Sequence, residues 1–343
     1  MKWLWLLGAL TVAPLVSTPA VAAEKPIPLR MAFQNSETSW GAVNALKPWV
    51  AQVEKATNGR VKIEVYYSQS LAKGKDTWAA VKDGIADLGW CFHGYWPGMT
   101  PLSDAVSLPA LPFASAEAGS EAFWRLYENF PAIHNEFSPN KVLALFISTP
   151  YTLISAKKKI EKLEDLQGMK IRATGGPPTV QLQSFGGVPV LIPMPDTYVS
   201  LQKGVIDGME APWEAIHGFR LYEVVSHYTE APLPATYFSL VMNKKKWDQL
   251  PQDVQTAIMS VSGVEGSRFW GANFFDSAKQ AVLAEAKKAG NPISVYNLPE
   301  KERERWIEVG GKPIWKEWVG EMEKKGHAEA PQILDYLVDH SGK

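Results

Sequence analysis

Arg172 is the residue whose type and position point most directly to chemistry. The run Leu163-Glu164-Asp165-Leu166-Gln167-Gly168-Met169-Lys170-Ile171-Arg172-Ala173 reads as a short helix, a glycine turn and a strand ending near Arg172. The next residues, Thr174-Gly175-Gly176-Pro177-Pro178, lead through a loop into another helix. A guanidinium at the carboxyl end of a strand is a natural carboxylate clamp, because its planar fork donates two parallel hydrogen bonds. Each such charge-assisted bond is worth roughly 1.5–3 kcal/mol net, so two supply about half of the ~8 kcal/mol that a micromolar complex needs. Two further segments collect aromatic and polar side chains. Trp90, His93, Tyr95 and Trp96 lie in one; Glu210 and Trp213 lie in the other. Glu210 and His93 are a candidate acid and base, a pairing that requires perturbed pKa values and contact with a reacting group. Glu210 and Glu214 are also candidate cation ligands, although two carboxylates without further oxygen partners are a poor metal signature.

Other catalytic signatures are missing. The six histidines (93, 134, 217, 227, 327 and 340) begin no H-E-x-x-H pattern, and a single cysteine, Cys91, excludes both an intramolecular disulfide framework and a cysteine-based zinc site. Gly74-Lys75 is followed by Asp76, and Gln69 stands where a P-loop needs glycine. Neither G-x-S-x-G nor G-x-G-x-x-G occurs. No cofactor is expected. Lys plus Arg (35) balances Asp plus Glu (36), which argues against a nucleic-acid footprint. With 46% hydrophobic and 21% charged residues, the composition is that of a globular protein, and 343 residues correspond to about two domains. Fourteen tryptophans are the unusual number; Trp suits both dense packing and the docking of flat, partly apolar ligands.

The elements that position these residues follow from periodicity. Leu29, Met31 and Phe33 alternate as a strand, and so do Val61, Ile63, Val65 and Tyr67. Between them a helix runs from Ser39 to Asn58-Gly59, and Pro48 should kink or split it. A strand follows near residues 86–90, and a second series of strands and helices follows from 163 onward. Residues 78–87 and 198–207 share one pattern: aromatic, x, x, apolar, polar, polar, Gly, apolar, apolar or Ala, Asp. In each, the glycine stops a helix in the left-handed position and the aspartate opens the turn into a strand. This predicts an α/β protein of two similarly built lobes. Ligands of open α/β sheets bind beyond the carboxyl ends of the strands, so the segments after both junctions should face one cleft between the lobes. Residues 251–290 read as one bent helix spanning both lobes, or as two helices. Residues 299–326 read as helical, with Trp306, Trp315 and Trp318 on roughly one face for core packing.

Residues 1–23 read as a signal peptide: Lys2, an apolar stretch over 3–16, and a small-residue cleavage site at Ala20-Val21-Ala22. No later segment approaches the length of a membrane span.

Taken in order, these pieces resemble the periplasmic substrate-binding proteins of tripartite ATP-independent (TRAP) transporters. The markers are Asn58-Gly59-Arg60-Val61, Asp83-Gly84-Ile85-Ala86-Asp87, Leu108-Pro109-Ala110-Leu111-Pro112-Phe113, the 163–172 run, and Tyr198-Val199-Ser200-Leu201-Gln202-Lys203-Gly204-Val205-Ile206-Asp207-Gly208-Met209-Glu210-Ala211-Pro212. The resemblance implies a two-lobed periplasmic binding protein, its lobes joined by crossing strands and a long helix and closing on a ligand. It implies a first lobe of 24–149 plus 238–277, a second of 150–237 plus 278–325, and a tail over 326–343. It further implies a monomeric receptor, not an enzyme, that delivers an organic acid to a permease of small and large membrane subunits, with Arg172 as the carboxylate-binding arginine. Some relatives carry a second arginine on the strand that here reads Ser148-Thr149-Pro150-Tyr151-Thr152-Leu153, where there is none. Together with Trp90, Trp96, Trp213, Tyr151 and Tyr237, this favours a monocarboxylate with an apolar or aromatic body, such as a hydroxy or keto acid. Glu37, in the loop after the first strand, is placed to meet a hydroxyl or a ligand cation. An exported enzyme using Glu210 and His93, and a ligand-sensing module of a signalling receptor, are the competing expectations.

Overall fold

The computed structural model describes residues 25–288, 290 and 292–340; the expected signal peptide over 1–23 lies outside them. Eleven strands form two sheets among these residues. They are β1 (Ile27–Ala32), β2 (Val61–Tyr66), β3 (Leu88–Phe92), β4 (Asn140–Ile147), β5 (Thr152–Ser155), β6 (Lys170–Ala173), β7 (Val188–Leu191), β8 (Gly208–Ala211), β9 (His227–Glu230), β10 (Tyr237–Asn243) and β11 (Val295–Asn297). One sheet has the order β2-β1-β3-β10-β4, the other β11-β9-β5-β8-β6-β7. In each, three parallel strands are followed by one antiparallel strand: β2, β1, β3 then β10, and β7, β6, β8 then β5. The two lobes are therefore built alike, and each takes its antiparallel strand from the chain segment that enters from the other lobe.

The repeated junction occupies the same structural place in both. Gly84 (φ 79°) and Gly204 (φ 69°) end their helices in the left-handed region, where a Cβ is strained. The aspartate three residues on then bonds the neighbouring strand in the same way. Asp87 N–H donates to Arg30 O at 2.9 Å while its carboxylate accepts from Arg30 N–H at 2.8 Å. Asp207 N–H donates to Lys170 O at 2.7 Å and its carboxylate accepts from Lys170 N–H at 2.9 Å. In both lobes one aspartate sets the register of the parallel pair.

Two crossovers join the lobes, β4 to β5 and β9 to β10. They run side by side: Ser148 N–H donates to Thr236 O at 2.8 Å, Thr236 N–H to Ser148 Oγ at 3.1 Å, and Tyr151 N–H to Pro234 O at 3.1 Å. A third connection is helical. The region 251–290 breaks after Gln252–Met259, and a second helical stretch runs through Gly263–Gly271, a π-turn at Ala272–Asp276 and Ala278–Lys288, with right-handed backbone at each join. At 1.5 Å per residue that second stretch spans about 40 Å. Its beginning packs on the Ala116–Asn129 helix and β4 of the first lobe, its end on the Trp213–Gly218 helix of the second. Pro48 does not split its helix: a π-turn at Ala42–Leu46 runs with right-handed backbone into the helix Lys47–Ala56, easing the proline ring past the preceding turn.

The C-terminal region departs from expectation. Gly311 divides it into Glu300–Gly310 and Lys312–Lys324, so the three tryptophans do not share a face. Trp306 packs on Phe185 (4.7 Å) within the second lobe. Trp315 and Trp318 donate to Pro109 O (2.7 Å) and Pro101 O (3.2 Å) in the first. Ile314, Trp318 and Met322 of the helix Lys312–Lys324 enter the first lobe's core, while the helix also packs on Pro177–Ser184 of the second. The expected tail contains a helix, Ala330–His340, because Ile333 and Leu337, four residues apart, lie on one stripe and enter the first lobe's core.

A cleft between the lobes closed over one cavity

Arg172 lies near the end of β6 and is only 1% exposed. Its Nε–H donates to Ile192 O at 3.0 Å, while Nη1 is buried without a partner among the described residues. Burying an ion without full pairing is costly. Next to Arg172, side chains from both lobes surround a cavity of about 20 Å³, roughly the space of one water molecule. Asn35, Trp90, Phe92 and Phe238 form the wall of the first lobe, Met194, Glu214 and Phe219 that of the second, and Tyr151 of the crossover lies between. Tyr151 feels the charge of Arg172, and Met194 follows two residues after the carbonyl that Arg172 bonds. The aromatic wall is rigid: Phe238 lies 4.8 Å from Trp90 and is stacked on Phe92 at 5.0 Å, and Trp90 is stacked on Phe274 at 5.4 Å.

Among the described residues, three hydrogen bonds cross the cleft. Asn35 Nδ2 donates to Glu214 Oε1 at 3.0 Å. Met194 N–H donates to the Tyr95 hydroxyl at 3.0 Å, which itself donates to Gln34 Oε1 at 3.0 Å. Gly175 N–H donates to Gly94 O at 3.0 Å. The lobes approach so closely at the last point that a Cβ on Gly175 would sit 2.4 Å from Pro97 Cγ.

Of the residues expected at the site, Trp90 and Tyr151 line the cavity, and Arg172 and Tyr95 adjoin it. The others do not line it: strand alternation turns His93 and Tyr237 to another face, and Glu210 lies within the field of Arg172 and Tyr151. On β3, Leu88, Trp90 and Phe92 share one core cluster and Cys91 the other. His93 continues the Cys91 face. Its Nε2 meets Ser239 Oγ at 2.8 Å, its Nδ1 meets Thr100 Oγ1 at 3.3 Å, and its ring stacks on Tyr237 at 4.9 Å. Burial pushes its pKa down to about 3. His93 is thus a neutral core residue, and the acid–base pair with Glu210 is not formed. Tyr237 shares that face and bonds Thr100 and Asp104. Trp96 packs on the same cluster with its Nε1–H on Lys75 O at 2.7 Å. In the second lobe Trp213 stacks on Tyr228 at 5.7 Å and donates to Glu230 at 3.3 Å, behind the cavity wall. Arg172 pairs in register with Met209, so Glu210, the next residue, belongs to the opposite face of the sheet. It is buried there with both oxygens unpartnered among the described residues, and burial pushes its pKa up to about 8 although Arg172 pulls it down. Glu37 is exposed and pairs with Lys47 at 3.0 Å. Among the described residues no group of three or more His, Cys, Asp or Glu is placed to hold a metal ion.

Sequence reasoning missed Phe92, Phe238, Asn35, Met194 and Phe219. The period of two would have found the first two, since Phe92 shares a face with Trp90 and Phe238 is the neighbour of Tyr237 on the other face. Asn35, Met194 and Phe219 carry no local signal and come from loops or helix ends that meet only in the closed molecule.

A family model described as "Bacterial extracellular solute-binding protein, family 7" matches residues 34–321. The outer membrane transporter protein TsaT of Comamonas testosteroni is 28% identical over 294 residues, covering 85% of each chain. A TRAP solute-binding protein of Rhodoferax ferrireducens, solved with copurified benzoate, superposes with a TM-score of 0.86 at 27% identity, covering 92% of this chain and 97% of that one. A marine-metagenome TRAP solute-binding protein from an unidentified microbe, specific for aromatic acid ligands and solved with 3-hydroxybenzoate, gives a TM-score of 0.86 at 28% identity, covering 92% and 98%.

Proposed function

The chain belongs to bacterial extracellular solute-binding protein family 7 and is a TRAP receptor for an organic acid, and from that premise we propose that its ligand is an aromatic monocarboxylate whose carboxylate is held by Arg172. The observation that carries this reading is a buried guanidinium with a free Nη1 beside a small aromatic-walled cavity. At about 20 Å³ the cavity holds no ring in this conformation, so a ligand enters only when the lobes part, and the aromatic wall then meets its body. Among the described residues no Lys or Arg lines the cavity, and Arg172 adjoins it, so a second carboxylate would lack a counter-charge. The ligands named for two of the similar structures, benzoate and 3-hydroxybenzoate, are acids of this class.

In this reading the ligand leaves unchanged, is handed to a permease of small and large subunits, and is met in the periplasm after removal of residues 1–23. Arg172→Ala should abolish benzoate binding, measured by titration calorimetry on protein with an unchanged circular dichroism spectrum. Arg172→Lys should restore little, since an ammonium lacks the planar fork. Unchanged affinity in Arg172→Ala would sink the clamp. Recovery of chemically altered benzoate after prolonged incubation would sink the receptor reading.

A further inference from the structure

The cavity contains a second polar feature besides its neighbour Arg172. Asn35 Nδ2 donates to Glu214 Oε1, and in this arrangement Oδ1 is left as an acceptor. That Oδ1 is buried without a partner among the described residues, and Asn35 is 2% exposed. Trp90 Nε1 is also buried without a partner, and Trp90 is 4% exposed. Both residues line the same cavity as Glu214. A lone acceptor and a lone donor, each deprived of water, cost more than most single contacts return. Evolution retains such groups where something else completes them.

We propose that Asn35 and Trp90, with Glu214 as the residue that orients Asn35, form a subsite selecting an aromatic carboxylate that carries a hydroxyl group. This rests on the aromatic-acid reading above and narrows it. A hydroxyl serves both atoms: its O–H donates to Asn35 Oδ1 while its oxygen, a better acceptor than an arylamine nitrogen, accepts from Trp90 Nε1–H. A keto oxygen satisfies only the tryptophan, and an ammonium only the asparagine. An unsubstituted ring satisfies neither, leaving two buried groups unpaired. Glu214 holds its proton to about pH 8 through burial, so at neutral pH the subsite carries no net charge to repel a carboxylate ligand.

The test is a series of isosteres on the full chain freed of carried ligand by exhaustive dialysis. Benzoate and the 2-, 3- and 4-hydroxybenzoates are titrated at pH 7, each beside its fluoro analogue. One hydroxy isomer should bind roughly 10- to 100-fold more tightly than benzoate, the return for two neutral hydrogen bonds in a dry site, and its fluoro analogue should not. In Trp90→Phe, which keeps an aromatic ring and removes the N–H, and in Asn35→Ala, the hydroxybenzoate-to-benzoate affinity ratio should fall toward one. Equal affinity for benzoate and every hydroxy isomer in the native chain would overturn the subsite without using a variant, and so would a ratio unchanged in both variants. Failure of all these acids to bind folded protein would instead strike at the aromatic-acid reading, so the two failures are distinguishable.

Discussion

Single buried residues are charged or neutral according to where the fold places them. Glu210 and Glu214 each have a pKa pushed up to about 8 by burial, against an ordinary value of 4.5. Between those values the folded chain holds protons that the unfolded chain has released, so stability falls as pH rises. The contribution is complete below about pH 4 and is lost as pH passes 8. Glu210→Gln removes the titrating proton and keeps the shape. Its Tm should therefore equal that of the native chain near pH 4 and exceed it increasingly toward pH 8; two parallel curves of Tm against pH would contradict this. His93, held neutral down to about pH 3, should give no NMR titration between pH 5 and 8, a check on its removal from the site.

At the scale of elements, closure depends on a few backbone segments. The loop after β6 meets the turn after β3 through Gly175 N–H and Gly94 O, with Pro97 against Gly175. A methyl group at 175 cannot fit there without moving the lobes apart. Gly175→Ala should leave the fold intact, since each lobe keeps its own sheet and core. It should weaken benzoate binding by roughly 10-fold or more, with the loss mainly in the dissociation rate, as stopped-flow fluorescence would report. An unchanged dissociation rate would show that this contact forms no part of the bound state. The crossovers and the long helical connection set the opposite constraint. They tie the lobes by paired backbone and continuous helix, so motion is directed into a hinge about Ser148–Thr236 and Tyr151–Pro234.

For the whole molecule, the site exists only where the lobes meet. Asn35, Trp90 and Phe238 come from the first, Met194, Glu214 and Phe219 from the second, and neither half alone encloses the cavity. Ligand that touches both halves favours the closed form by its differential affinity for that form. Small-angle scattering should show a smaller radius of gyration with saturating benzoate than without, and Trp90 fluorescence should change at the same ligand concentration. A radius unaffected by saturating benzoate would mean that closure does not depend on the ligand.

Much of this was already determined by the linear chain. The alternating strands, the Gly-x-x-Asp junction repeated at 84–87 and 204–207 and the place of Arg172 at a strand end are local consequences of side-chain period, backbone preference and hydrogen-bonding type. These interactions reach across a few residues, so a few residues reveal them. Only the tertiary structure decided which neighbours of Arg172 share its cleft. Trp90 and Cys91, or Tyr237 and Phe238, differ by one position, and on a strand one position is the difference between the two faces. Composition marks both as aromatic-rich, and the register and the facing sheet select between them. The C-terminal helices show the same limit. The turn at Gly311 sends Trp306 to one lobe and Trp318 to the other, because burial of a large apolar surface is decided by which core has room for it.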